Sequence, residues 1–374
     1  MNHTFSSSEL TRYSRQFALP EVGVEGQEKL KSAKVLCIGA GGLGSPILLY
    51  LAAAGVGTLG IVDDDTVELS NLHRQILYTT NDLAHIKAAT AKERLLQLNP
   101  QIHIIAHSVH LTHDNALEIL QDYDIVVDGT DNFYTHYLIN DACFYLKKPL
   151  VYASIAQFEG QCSVFNVNDG PCYRCLYAAP PPEGLIPNCA EGGVLGVLPG
   201  LVGTIQAIEV IKFILNLGQS LASRLLTINT LSMQFQEWPI QRDPHCRLCV
   251  EHQAFDTLPH HVPAACAPLN VPEITVSEFA ALKEQDTHYI LLDVREAHEY
   301  AICNLGGQLL PLSQLSQEIP FLDKNVLYIV HCKVGGRGSK AVKMMQEHGF
   351  SSVKNLRGGI LAWIKEIEPQ MVVY

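Results

Sequence analysis

The chain has 374 residues, more than one hydrophobic core usually serves, so two or three domains are expected. Its 47% hydrophobic and 17% charged residues exclude a disordered or a membranous chain. A formal charge of -12 argues against a nucleic-acid partner, which calls for a basic surface.

Met1 to Gln16 carries no apolar signal core, and stretches such as Ile47 to Val56 are too short and too glycine-punctuated to span a bilayer. The expected location is cytoplasmic, with no membrane partner. Eleven cysteines in a chain of this size form an odd set, and two pairs have metal-ligand spacing. That pattern indicates reduced thiols rather than a disulfide scaffold.

In chain order, the apolar run Val35 to Ile38 predicts a strand, followed by a glycine turn, a helix to about Ala54 and a strand ending at Asp63. This is a βαβ unit. A helix over Lys87 to Leu98, a strand near Ile102 to Ala106, a helix near Asn115 to Leu120 and a strand over Asp124 to Asp128 extend it. An open, largely parallel sheet with helices on both faces follows. Leu198 to Leu217 reads as a long helix. Pro259, Pro263, Pro268 and Pro272 mark an extended linker over 251–272, between a first domain of 1–250 and a second of 273–374. The second carries strands at Tyr289 to Asp293 and Val326 to Val330, then helices at Ser339 to Glu347 and around Ile360 to Glu366, and so is a smaller α/β domain.

Gly39, Gly41, Gly42 and Gly44 lie between a strand and a helix, where missing side chains let amides approach a phosphate and the helix N-terminus attracts the anion. Asp63 ends the next strand. The pattern binds a nucleotide without choosing one: from the glycines alone a nicotinamide-dependent oxidoreductase is the first reading, with a tight turn that holds no ligand as the lesser alternative.

Cys172, Cys175, Cys246 and Cys249 form two Cys-x-x-Cys knuckles. Four thiolates make a closed tetrahedral zinc site that would tie a mid-domain loop to the domain's end. Either knuckle alone could equally be a redox dithiol. Cys189 stands in a glycine-rich segment, as a reactive or a merely exposed thiol. Cys37, Cys143, Cys162, Cys266 and Cys303 match no motif.

Cys332 follows an apolar strand and precedes a helix, in Cys332-Lys333-Val334-Gly335-Gly336-Arg337. Backbone amides and the helix dipole stabilise a thiolate or persulfide there, and Lys333 and Arg337 add positive charge. Tyrosine phosphatases use a similar loop but set the arginine one position later, where this chain has Gly338.

The segments Asp63 to Gln75 and Arg12 to Gln16, with Lys87, Thr130-Asp131-Asn132-Phe133 and Cys189-Ala190-Glu191, resemble the MoeB/ThiF family of adenylating enzymes, relatives of ubiquitin-activating enzymes. The resemblance implies a Rossmann-like adenylation domain that uses ATP and Mg2+. Asp63 would bind the ribose, Arg74 and Lys87 the phosphates, and Asp131 the magnesium ion, with Asn71, Gln75 and Asn132 alongside. Arg15 would reach the phosphates from the neighbouring subunit of a homodimer. The family usually has glycine and proline where this chain has Ala84 and Ile86, and often arginine at His136, so altered loop geometry or weaker substrate contacts are expected. The Cys332 loop, with Leu292 to Glu296, Ile302 to Gly307 and Asn355 to Ile360, resembles rhodanese-like sulfurtransferases, with Asp293 and Arg295 as a framework ion pair.

Together the two resemblances imply adenylation of the C-terminal glycine of a small ubiquitin-like sulfur carrier with a Gly-Gly end, similar to MoaD or ThiS. A persulfide on Cys332, supplied by a donor such as a cysteine desulfurase, would then attack the acyl-adenylate, and Cys189 would help release a thiocarboxylate. A noncatalytic carrier-binding scaffold is the reading opposed to this one.

Overall fold

The computed structural model describes residues 5–179, 193–257, 271–285 and 288–373. The chain divides into two compact units, Met1–His261 and Val262–Tyr374. Residues 258–270 of the proline-bearing stretch, including Cys266, lie outside the described residues, as does Cys189.

Three helices open the first unit: α1 (Ser7–Arg12), α2 (Ser14–Phe17) and α3 (Gly23–Ser32). The expected alternation follows as β1 (Lys34–Ile38), α4 (Gly44–Ala54), β2 (Thr58–Val62), α5 (Lys87–Leu98), β3 (His103–His107), α6 (His113–Leu120) and β4 (Ile125–Asp128). Then come α7 (Phe133–Tyr145), β5 (Leu150–Ala156), β6 (Glu159–Phe165), the single turn α8 (Tyr173–Leu176), α9 (Val197–Leu215), β7 (Arg224–Asn229) and β8 (Gln234–Pro239). They form one eight-stranded sheet in the order β3-β2-β1-β4-β5-β6-β7-β8. It is parallel from β3 to β5 and antiparallel from β5 to β8. The sheet is therefore less parallel than its first strands suggest.

β1 shows why both faces are covered. Val35 and Cys37 enter one apolar cluster, with α4, α5 and α9, while Leu36 and Ile38 enter the other, with α6 and α7. A run of apolar residues with no polar alternation is what a strand buried on both faces needs. Helix α9 is long and apolar enough to cross a membrane by length and composition. In the fold it packs on α4, β5 and β6, burying Leu198, Val202, Ala207 and Val210. At the far edge β8 is exposed along its whole length.

The second unit comprises β9 (Glu273–Ile274), α10 (Val276–Lys283), β10 (Tyr289–Asp293), α11 (Ala297–Ile302), β11 (Gln308–Leu309), α12 (Leu312–Glu318), β12 (Leu327–His331), α13 (Gly336–Glu347), β13 (Val353–Leu356) and α14 (Gly359–Glu366). Its five-stranded sheet, in the order β11-β10-β12-β13-β9, is parallel throughout. Central β12 leads directly into Cys332.

The departures at Ala84 and Ile86 have a conformational outcome. Ala84 sits at φ +65° and Ile86 at φ -65°, the values that glycine and proline favour. Three backbone bonds hold the segment: Ala84 N donates to Val67 O at 2.9 Å, Val67 N to His85 O at 2.9 Å and Lys87 N to Asp65 O at 2.8 Å. The loop geometry is thus held by pairing with the Asp65–Val67 segment, an isolated bridge between Thr66 and Ile86, and an L-residue in the left-handed region carries strain of about 1–2 kcal/mol. Ala84→Gly is expected to stabilise the first unit by about 0.5–1 kcal/mol, the relief of strain less the added entropy of the unfolded chain. Ala84→Val should destabilise it by about 1–2 kcal/mol. Urea unfolding of the full chain measures both.

Candidate functional site

A cavity of about 570 Å3 opens where the C-terminal ends of β1, β2 and β4 meet. Gly39, Gly41 and Gly42 form one wall, Asp63, Asn71, Arg74, Gln75 and Lys87 another, and Asp131 and Asn132 a third. Gly39 has φ +88°, and a Cβ there would lie 2.8 Å from the carbonyl oxygen of Gly129, so the turns after β1 and β4 touch backbone to backbone. Gly44 does not line the cavity. A Cβ at Gly44 would collide with the carbonyl of Gly39, so its part is to let α4 start against the turn.

Asp63 binds the glycine turn itself. Its carboxylate accepts from Ala40 N at 2.8 Å and from Asp65 N at 3.0 Å. Burial pushes its pKa up, against the opposing effects of Lys87 and those two amides. Buried Tyr78, which the sequence did not single out, donates to Ala40 O at 2.9 Å and ties the same turn to α5 through Lys87 O at 3.3 Å.

Each cation of the cavity already has a partner. Lys87, a buried residue, places Nζ 2.9 Å from Asp65 Oδ2. Arg74 Nη1 donates to Ser70 O at 3.1 Å and to His73 Nε2 at 2.8 Å, and burial followed by the Arg74 charge lowers the His73 pKa. Asp63, Asp64, Asp65, Glu68 and Asp131 outnumber these cations along the lining. Such an all-oxygen acidic set suits a hard divalent ion, and a polyphosphate would need one to enter. Asn132 faces the cavity, but its side chain caps α7 by accepting from Thr135 N at 2.9 Å. Arg15 is exposed on α2 and is not among the lining residues.

Behind Asp131 lies a buried pair that explains His136. Its Nδ1 stands 2.7 Å from Asp128 Oδ2. Asp128 Oδ1 accepts from Thr130 N at 3.0 Å and from Thr130 Oγ1 at 2.7 Å. Tyr152 and Tyr173 pack around the imidazole. The imidazole ring therefore fills this place and, through Asp128, holds the turn that presents Asp131.

The four knuckle cysteines converge. All four Sγ atoms lie within 4.8 Å of one another, with Cys172–Cys246 at 3.5 Å, Cys175–Cys249 at 3.4 Å and Cys172–Cys175 at 3.9 Å. Four sulfurs at the usual zinc distance stand ~3.8 Å apart at the corners of a tetrahedron. The set fits zinc and favours that reading over two separate dithiols. It joins the loop before α8 to the segment following β8.

In the second unit Cys332 is buried, and Gly335 N donates to its Sγ at 3.1 Å. Gly335, at φ +108°, turns the chain into α13. Gly359 lets α14 approach so closely that Ile360 N donates to Cys332 O at 2.9 Å and Leu361 N to Lys333 O at 3.1 Å. Beneath the loop, Arg295 Nε donates to Asp293 Oδ1 at 2.9 Å with both residues fully buried, the expected framework pair. Arg337, in the same loop, is paired: its Nη1 and Nη2 donate to Glu299 at 2.6 and 2.7 Å. Nothing in the order of residues pointed to this partner, 38 positions away.

The model of the ThiF family matches residues 13–248, and that of the rhodanese-like domain matches residues 275–366. Adenylyltransferase and sulfurtransferase MOCS3 of Aedes aegypti is 40% identical over 392 residues, covering 99% of this chain and 90% of that protein. Probable adenylyltransferase/sulfurtransferase MoeZ of Mycobacterium tuberculosis is 41% identical, covering 99% and 96%. The sulfur carrier protein adenylyltransferase of Thermus thermophilus is 52% identical over 250 residues, covering 66% of this chain and 92% of its own. Among solved structures, E. coli MccB with ATP shares the fold, with a TM-score of 0.56 and 23% identity over 64% of this chain and 74% of its own.

Two measurements follow from the site. Elemental analysis should find one zinc ion per chain, and Cys246→Ser should lose it and lower the unfolding temperature of the first unit by several degrees. In the second unit, burial holds the His331 pKa down at about 4, with Asp293 opposing and Arg295 adding to the effect. Folded His331 stays neutral while the unfolded chain takes up the proton near pH 6.5. Stability is therefore full above pH 6.5 and falls on acidification toward pH 4, by on the order of 2–3 kcal/mol. Hydrogen exchange of the β12 amides should show this slope, and His331→Phe should flatten it.

Proposed function

The chain belongs to the ThiF family and closes with a rhodanese-like domain, and from that premise we propose that it adenylates the C-terminal glycine of a small ubiquitin-like sulfur carrier and then sulfurates it through Cys332. One observation carries the reading: a single chain holds both a nucleotide cavity walled by Arg74, Lys87 and Asp131 and a cysteine whose sulfur accepts a backbone amide. A nicotinamide oxidoreductase would have no use for that cysteine loop, and a scaffold none for the phosphate-binding side chains.

The glycine turn and the start of α4 would receive the phosphates, with Asp63 at the ribose. Lys87 would exchange Asp65 for phosphate oxygens, and Arg74 would follow the pyrophosphate as charge gathers on it. Asp131 would hold a magnesium ion, which supplies charge neutralisation between phosphates when bound. Arg15, exposed on α2, is free to serve a neighbouring subunit's cavity in a homodimer. A second cavity of about 490 Å3 crosses β5 to β8, lined by Gln161, Thr227, Gln236 and Trp238, and shares Ile155 with the first. The extended carrier tail would lie along this groove and bring its carboxylate to the α-phosphate.

Adenylation turns the carboxylate into a mixed anhydride with AMP as leaving group. The Cys332 persulfide, charged by a donor such as a cysteine desulfurase, displaces AMP and forms an acyl disulfide. A second thiol, for which Cys189 is the candidate, attacks the Cys332 sulfur, releases the carrier thiocarboxylate and leaves a disulfide for an external thiol to reduce. The four-cysteine zinc site would be structural.

The test combines ATP–pyrophosphate exchange with the intact mass of a carrier carrying a Gly-Gly end, in the presence of ATP and a persulfide donor. Cys332→Ala is expected to keep exchange and lose thiocarboxylate. Arg74→Ala and Asp131→Asn should lower exchange about a hundredfold or more. Full sulfur transfer by Cys332→Ala would overturn the proposal.

A further inference from the structure

The side chains around the Cys332 loop bear on which sulfur donor it accepts. A loop that charges itself from a small dianion must offer that dianion uncompensated positive charge. Arg337, in the first turn of α13, is bidentate to Glu299, and the two side chains are only 15% and 9% exposed, so solvent screens the pair weakly. The carboxylate is built into the framework independently of the arginine. Glu299 Oε2 also accepts from Glu296 N at 3.0 Å, completing the capping box of α11. The C-terminal end of α11 is pinned in turn, because the carbonyl of Cys303 accepts from buried Arg295 Nη2 at 2.9 Å. Burial lowers the pKa of Lys333, the other loop cation; Glu299 opposes this, and Arg337 and Arg295 add to it.

We propose that Glu299 is a specificity-determining residue that neutralises Arg337, turns away dianionic sulfur donors such as thiosulfate, and reserves Cys332 for sulfur delivered as a persulfide. This rests on the reading of Cys332 as the sulfur-accepting thiol. With thiosulfate the Cys332 thiolate attacks the sulfane sulfur, the S–S bond breaks, and sulfite leaves with the electron pair. Cyanide then takes the sulfane sulfur from the persulfide as thiocyanate and restores the thiolate. Glu299 takes no part in either bond change, so its removal acts through attraction of the donor. A mere structural clamp behaves differently, because breaking the pair from either side would then impair the loop in the same direction.

The experiment is steady-state thiosulfate:cyanide sulfurtransfer with the full chain, together with persulfide formation on Cys332 from a persulfide donor, read by intact mass. Glu299→Gln, which keeps an oxygen acceptor for Glu296 N, should lower the KM for thiosulfate about tenfold with kcat changed less than about twofold. Arg337→Ala should raise that KM, and Glu299→Gln/Arg337→Ala should lose the gain. If Glu299→Gln does not fold, Glu299→Asn, also neutral and one methylene shorter, is read the same way. An unchanged or higher KM in the Glu299 variants, or losses of the same sign from both partners, would overturn the inference while leaving the sulfur-accepting role of Cys332 intact. Failure of the wild-type chain to take persulfide sulfur on Cys332 would instead overturn the function on which it rests.

Discussion

The contact of Gly44 with the carbonyl of Gly39 is a backbone-on-backbone approach that any side chain would block. It lets α4 begin immediately beside the end of β1, so the amides of the turn and the helix N-terminus face one point. Gly39 then meets Gly129 across the sheet, which brings the turn after β4, and with it Asp131, to the same cavity. The second unit repeats the device at Gly359, whose missing side chain admits α14 to the carbonyls of Cys332 and Lys333. In both units the chemistry gathers at the C-terminal ends of parallel strands, where helix starts and turn amides accumulate.

Charge is organised around those approaches by pairing. Lys87 rests on Asp65, Arg74 on His73 and Ser70, and Arg337 on Glu299. A phosphate that took up Lys87 would displace its existing partner rather than find a bare cation, so the energetic gain would be the difference between two interactions. This matters for selectivity. Asp65 is largely exposed and can yield its lysine to a better acceptor, whereas Glu299 is buried and capped into α11. The same kind of ion pair is thus open to solvent on its acidic side in one unit and largely buried on both sides in the other.

Much of this was legible in the amino-acid order. The glycine spacing, the two Cys-x-x-Cys pairs and the short Cys332 loop are local patterns whose chemistry follows from residue type and separation. The first four strands read clearly because strands buried on both faces are continuous apolar runs. The strands β5 to β8 did not, since β8 is exposed throughout and β6 mixes glycine, glutamine and serine with its apolar residues. Partners far apart in the chain were equally silent: Tyr78 with Ala40, and Glu299 with Arg337. At Ala84 the departure from the family resemblance pointed to a changed loop, and pairing with Val67 holds the alanine at a φ that glycine takes without strain.

Sequence by itself determined the two chemistries, a nucleotide turn and a reactive cysteine loop, and the four thiols able to share an ion, because each depends on spacing along a short stretch. Only the tertiary structure decided how those parts are set. It separated Gly44, which packs, from Gly39, Gly41 and Gly42, which line the cavity, and it assigned Asp65 and Glu299 to the cations. The physical reason is that ion pairs and close backbone approaches depend on distances through space, which the order of residues along the chain does not contain.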